Sequence, residues 1–322
     1  EVVPVLKDAQ QPRRIESSKW NESFELLRHR PMLHATALRF WHSAADMSVL
    51  TFGVYYLTFV DELGSYYRTQ WTVICAAIVG ALELLVLTPM WCVAWTKHPE
   101  NPWMLGDFLR RHIPCMRVTC CFLQMLGAVV CPLLLRGLPI VCPGIEPWEW
   151  VASTVFLRVC FSPQTFFRTN SFCWAVDDDC HASGGRRREA MHAGVVKLFE
   201  EEGRAVAFAL FIGLGQAGLS TQNCELLCDS AGDRETCVED CDMEVVSSQP
   251  SLVAPYILFV LTFVGPAFGL VCAFHIWRFP IHGQRLQQLE ERQASLFMVG
   301  VSSDRTEHEL PSTAEDGEKE SE

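Results

Sequence analysis

No glycine-rich loop of the phosphate-cradling kind occurs in these 322 residues, which argues against the common nucleotide-binding enzymes. Basic residues interleaved with aromatics are equally scarce, so a nucleic-acid partner is not expected. No Ser/His/Asp set, metal cluster or cofactor loop stands in an arrangement that would serve catalysis; no enzyme activity, resident metal or cofactor is expected. No start Met, signal peptide or transit peptide is visible. The chain opens Glu1-Val2-Val3-Pro4 and runs polar and basic to Arg30, which reads as an interior piece of a longer protein.

What the chain does have is long apolar runs. It is 49% hydrophobic with twenty Phe and ten Trp, and these residues are gathered into blocks. A helix needs about 20 mostly apolar residues to cross roughly 30 Å of hydrocarbon. Six blocks meet that length, at 32–60, 70–96, 114–136, 148–174, 190–219 and 251–278. Backbone groups in lipid must be paired within the segment, so an all-α polytopic membrane protein of six transmembrane helices is expected. The domain reading is 1–30 as a cytosolic loop or linker, 31–278 as the six-helix domain, 279–293 as an amphipathic cytosolic exit and 294–322 as a disordered acidic tail.

Positive charge assigns the sides. Lys7, Arg13, Arg14, Lys19, Arg28 and Arg30 precede the first block, Lys97, Arg110 and Arg111 follow the second, and Arg186, Arg187 and Arg188 follow the fourth. The opposite loops carry Asp61, Glu62 and Arg68, then Glu146 and Glu149, then a 220–250 loop with eight carboxylates against Arg234 alone. Both termini are therefore expected in the cytosol, with the protein in the plasma membrane or an endomembrane. The 220–250 loop also holds Cys224, Cys228, Cys237 and Cys241 as two C-x3-C units. Zinc is the competing reading, but on an outward face thiols tend to oxidise, so disulfides are expected. Four cysteines allow three pairings, and the sequence does not choose among them.

Ionisable groups at membrane depth cost about 2.5–3.5 kcal/mol or more each, so they face a cavity or a partner. Arg39, His42 and Asp46 of the first block share one helical face by their spacing. They read either as a polar stripe along a transport path or as an internal ion pair tying helices together. Glu83, alone in the second block, is a candidate ion or proton ligand, or a partner for an arginine such as Arg158 of the fourth. Arg117 lies near enough to a helix start to snorkel. Pro163 is expected to kink the fourth helix. In the fifth block, Lys197 can pair with Glu201 and Glu200 with Arg204, each four residues apart. Ala205, Ala209, Gly213 and Ala217 then form a ridge of small residues, expected to let another helix approach closely.

Between the fourth and fifth blocks lies Asp177-Asp178-Asp179-Cys180-His181-Ala182-Ser183-Gly184-Gly185-Arg186-Arg187-Arg188-Glu189, read as a charged cytosolic loop. Together with the helix that follows, through residue 215, it resembles the loop-and-helix signature of the glycoside–pentoside–hexuronide cation symporters. This is a major facilitator superfamily group that includes the melibiose permeases. Asp177–Asp179, Gly185, Arg187, Arg188, Glu189 and Phe199 carry the match. Residues 28–60, 87–108 and 265–293 resemble that family's seventh-helix entry, the loop after its eighth helix, and its last helix with amphipathic exit. The resemblance implies the C-terminal half of a twelve-helix secondary transporter, moving a small solute such as a sugar or lysolipid with sodium or protons as the coupling ion. The N-terminal half of the same protein, or a second membrane chain, would complete it.

On that reading Arg39, Asp46, Glu83, Arg158, Lys197 and Glu201 are the candidate substrate or ion contacts. Asp177, Asp178, Asp179, Arg187, Arg188 and Glu189 form a cytosolic gate. One residue departs from the pattern: Glu201 stands where the family carries a membrane lysine, two positions after Phe199, which puts inheritance of the family's sodium or proton coupling in doubt. The alternative function is a six-helix scaffold or accessory subunit that transports nothing.

Overall fold

The computed structural model describes residues 24–95, 115–145, 147–183, 188–220, 222–229 and 232–292. Among them the structure is helical and contains no strand. Residues up to Pro280 form one compact unit and those from Ile281 a second.

In the first unit, α1 is Arg30–Phe59, opened by a proline in its first turn, where a missing N–H costs nothing. α2 (Ser65–Leu82) runs through a π turn, Glu83–Leu87, into α3 (Thr88–Trp95). α4 is Met116–Val141, α5 Trp148–Ala182 and α6 Glu189–Gln216. Two short helices follow, α7 (Cys224–Leu227) and α8 (Arg234–Ser247). α9 (Val253–Phe259) then passes through a second π turn, Val260–Val264, into α10 (Gly265–Arg278). In the second unit, residues 284–292 are helical after Gly283.

Both π turns have the same local cause. Thr88 and Gly265 each donate their backbone N–H five residues back, to Glu83 and Val260, and the next residue is Pro89 or Pro266. A proline ring clashes with the carbonyl four residues before it, and widening the preceding turn relieves that clash. Elsewhere a side chain compensates. α5 continues through Pro163, which leaves the Val159 carbonyl without its helical donor. The Ser162 hydroxyl donates to that carbonyl at 3.1 Å and accepts from the Trp91 indole of α3 at 2.7 Å. α6 ends in a Schellman turn: Gly218 takes φ 94°, and Leu219 N–H reaches back to the Leu214 carbonyl at 3.3 Å. α10 stops because Phe279 precedes Pro280 and is driven to extended backbone, ψ 122°.

α1 is central and packs on α6, α10 and α5, while α4 packs on α5 and α10. Among the described residues three stretches are long and apolar enough to cross a membrane: Tyr66–Cys92, Met116–Val141 and Val253–Arg278. The first is little buried within the bundle, with Leu84 and Leu85 facing outward. α1, α5 and α6 exceed bilayer length at 30, 35 and 28 residues but carry more charge. All six apolar blocks are thus helices.

Several expectations are corrected. Asp177, Asp178 and Asp179 are not in a loop; they belong to the last turns of α5, which runs eight residues past 174. A polar segment keeps its helical hydrogen bonds once it leaves an apolar environment, so the end of hydrophobicity is not the end of the helix. Glu189 is the first residue of α6. Glu149, expected in a loop, is fully buried in the first turn of α5, where the helix dipole favours a carboxylate. The expected ridge in α6 holds in part: Gly213 is closely approached by the Tyr256 side chain of α9, but Ala205 and Ala209 are exposed, whereas Gly203 and Ala207 are buried. A methyl at Gly203 would meet the Phe40 carbonyl oxygen, so the α1 backbone lies directly against α6 there. Residues 1–23, 97–111, 184–187 and 294–322, with the charges and the tail assigned to them, lie outside the described residues, as does Glu146.

The 220–250 segment is tied by two nested disulfides, Cys224–Cys241 and Cys228–Cys237, which settle the pairing left open by sequence. Its base is closed by the Gln249 amide, which accepts from Ser220 N–H at 3.0 Å and donates to the Ser220 carbonyl at 2.7 Å. Asp233 caps α8, accepting from the Thr236 N–H and hydroxyl. Those bonds hold its carboxyl below the ordinary range. The cap therefore stabilises α8 fully above the usual carboxylate pKa and fades as pH falls through the lowered value. Helices of 4 and 14 residues are marginal alone. Unreduced peptide mapping should recover these two linkages. Reduction should remove about 3 kcal/mol of local stability, read as faster amide exchange across 224–247. Unchanged exchange would mean the loop is held by something else.

Candidate functional site

α1 offers Arg39, His42 and Asp46 from successive turns of one face, and the structure gives each charge a partner on a different helix. Asp46 Oδ1 lies 2.9 Å from Arg158 Nη1 of α5. Arg39 Nη1 lies 3.8 Å from Glu200 Oε2 of α6. The Arg39–Asp46 pairing within α1 is thus replaced by two interhelical pairs, and Arg158 goes to Asp46 rather than to Glu83. Glu83 sits half-buried in the first π turn, and its carboxylate makes no ion pair or hydrogen bond among the described residues.

On α6 the charges split by face. Glu200, 18% exposed, turns toward α1, while Lys197 and Glu201 are 58% and 48% exposed. Lys197 meets Glu201 at 2.8 Å, and Arg204 meets Glu201 at 3.0 Å and Glu200 at 3.1 Å. Arg39, Glu200, Lys197, Glu201 and Arg204 therefore form one chain of contacts, and Asp46–Arg158 a second. His42, 9% exposed, lies between them within electrostatic reach of Arg39, Arg158 and Arg168, beside Gln164.

Glu200, Arg168 and Gln164 went unselected from sequence. Arg168 lies ten residues from Arg158, which turns it about 80° around α5, so the spacing alone gave no signal for it. Nothing in the sequence separates Glu200 from Glu201, because only the direction of α1 decides which one faces inward.

A second polar group gathers where α1 begins and α5 ends. His29 Nε2 contacts Asp178 Oδ2 at 2.9 Å. Arg188 grips Asp179 with two bonds, Nη2 to Oδ1 at 2.7 Å and Nε to Oδ2 at 3.2 Å. His192, fully buried, approaches Asp179 at 3.3 Å with Nε2 and the Arg188 carbonyl at 2.8 Å with Nδ1, which must donate there. Across the same end, His34 Nδ1 and His275 Nδ1 lie 3.1 Å apart. Of the expected gate residues, Asp178, Asp179 and Arg188 thus have defined contacts, and Arg187 lies outside the described residues. At the opposite end Glu149 accepts from the Tyr56 hydroxyl of α1 at 3.2 Å.

Among the described residues no three His, Cys, Asp or Glu side chains converge as metal ligands. Comparison with protein-family models, curated proteins and solved structures finds no match. What the arrangement can do follows from its own chemistry. Two interhelical ion pairs join α1 to α5 and α1 to α6.

Proposed function

We propose that this chain is a six-helix half of a membrane secondary transporter. Its small solute would be handled on the face formed by α1, α5 and α6, with rocking against a second six-helix half and no covalent chemistry. That half would be supplied by the same protein or by a second membrane chain. The observation that carries the reading is the pair of interhelical contacts Asp46–Arg158 and Arg39–Glu200. Charges on facing membrane helices are costly and mark substrate or ion pathways. The helix order and the resemblance to cation symporters agree with it. Asp179–Arg188 and His29–Asp178 would close the cytosolic end in one state and release in the other.

Uptake into liposomes containing the full-length protein, with a sodium gradient, a pH gradient or neither, tests this. Gradient-stimulated accumulation of a small solute is expected. Identical retention with and without protein, across sugars, lysolipids and organic anions, would sink the transport reading in favour of a scaffold.

A further inference from the structure

We propose that the face between α1 and α5 binds an oxyanion, a carboxylate or phosphate group of the solute, between Arg39 and Arg168. This rests on the transporter reading for its biological use but not for its chemistry. The charge balance is the first argument. Arg158 is matched by Asp46 at hydrogen-bond distance. Arg39 has only Glu200, at 3.8 Å, and that carboxylate is already held by Arg204 at 3.1 Å and Lys197 at 3.4 Å. Arg168 forms no ion pair or side-chain hydrogen bond among the described residues, though Arg39, Glu200 and Asp46 all lie within its electrostatic reach. Arg39 and Arg168 thus share Glu200 and Asp46 with Arg204, Lys197 and Arg158, which hold those carboxylates at closer range.

The second argument is independent of charge. The Nε atoms of Arg39 and Arg168 are shut off from solvent and hydrogen-bond to nothing among the described residues, as is His42 Nδ1. Gln164, fully buried, lies within interaction range of His42 and Cys272, although neither end of its amide makes a hydrogen bond of ordinary geometry. Buried donors without partners cost free energy and are rare unless a ligand or ion completes them. Guanidinium donors form a planar fork that matches the two oxygens of a carboxylate or phosphate, and such charge-assisted bonds are the strong ones. A neutral sugar would leave the charge of Arg168 uncompensated.

The position suits a solute site. By helical rise, Arg39 lies about 14 Å into α1 and Glu200 about 17 Å into α6 from the same end, and Arg168 about 21 Å back from the end of α5. Because residues 175–182 of α5 lie beyond its apolar run, Arg168 sits about 9 Å inside that run, toward the end of the bundle where α1 begins.

The test is thermal unfolding of the purified full-length protein in neutral detergent at constant ionic strength, with millimolar inorganic phosphate, citrate, a short-chain phosphatidic acid or melibiose. Phosphate and citrate are expected to raise Tm by about 2–4 °C, saturably, while melibiose alone does not. A response to phosphatidic acid only would assign the oxyanion to a lipid headgroup. Arg168→Gln should abolish the shift and Arg168→Lys keep part of it; Arg39→Gln, as a second variant, should weaken it. Equal shifts in wild type and Arg168→Gln, or none with any anion, overturn the proposal. Uptake is read separately: anion-dependent shifts without transport would remove the transporter reading and leave the site. Transport of a neutral solute that is indifferent to Arg168→Gln would do the reverse.

Discussion

Arg158→Gln is expected to abolish solute uptake and to lower the melting temperature, whereas Asp46→Asn combined with Arg158→Gln is expected to regain the melting temperature but not the uptake. The reason lies in what each change leaves behind. The 2.9 Å pair joins α1 to α5, with side chains 37% and 25% exposed. Removing the guanidinium strands the Asp46 carboxylate. At the membrane depth proposed here an unpaired charge costs about 2.5–3.5 kcal/mol, roughly a hundredfold in an equilibrium constant. Removing both charges removes that cost, as replacing a buried pair by neutral groups commonly does. A tie that only holds two helices together would then be functionally replaceable. Part of a solute path would not, because the neutral pair offers no charge to exchange. Purification yield and melting in detergent give the first readout and liposome uptake the second. Full uptake by the double variant would reduce the pair to a structural strut.

Gly203→Val should be the most disruptive single change in α6. The α1 backbone passes against this position at the Phe40 carbonyl, and Ser43 adjoins it. A branched side chain cannot move a backbone oxygen aside by rotating, so α1 and α6 must separate. Overpacking of this kind costs about 3 kcal/mol, and here it also pulls Arg39 away from Glu200. Ala205→Val, two residues on and exposed, should change stability by no more than about 0.5 kcal/mol. Melting curves of the two variants decide between the packing face seen here and the ridge expected from small-residue spacing. The reverse order of effects would place α1 against the Ala205 face instead.

The same residues show what the sequence made legible. Helices were readable as apolar runs because lipid or a packed bundle requires internally bonded backbone. Their ends were less so. α5 extends to Ala182 because Asp177–Asp179 keep their helical bonds and gain partners in His29 and Arg188. The pairing of Cys224, Cys228, Cys237 and Cys241 needed the antiparallel placement of α7 and α8, which spacing alone does not define. Faces were the hardest part. Lys197–Glu201 and Glu200–Arg204 follow from four-residue spacing, yet which glutamate looks inward depends on where α1 lies. Gly203 and Ala205 differ in the same way. The cluster was therefore half readable: Arg39, Asp46 and Arg158 stand out as charges in apolar runs, while Glu200, Arg168 and Gln164 acquire meaning only from their neighbours across the interface.

The central claim is that α1, α5 and α6 span the membrane despite their charge, giving six crossings rather than the three provided by the most apolar helices alone. Glycosylation acceptor sites inserted one at a time, at residues 184–187 and at Gly232, measure this directly. The background should carry Asn21→Gln, because Asn21-Glu22-Ser23 is itself an acceptor. Six crossings put the two insertions on opposite sides, with only the Gly232 site glycosylated. With three crossings, at 66–92, 116–141 and 253–278, both insertions lie on one side and behave alike, a result that would contradict the account.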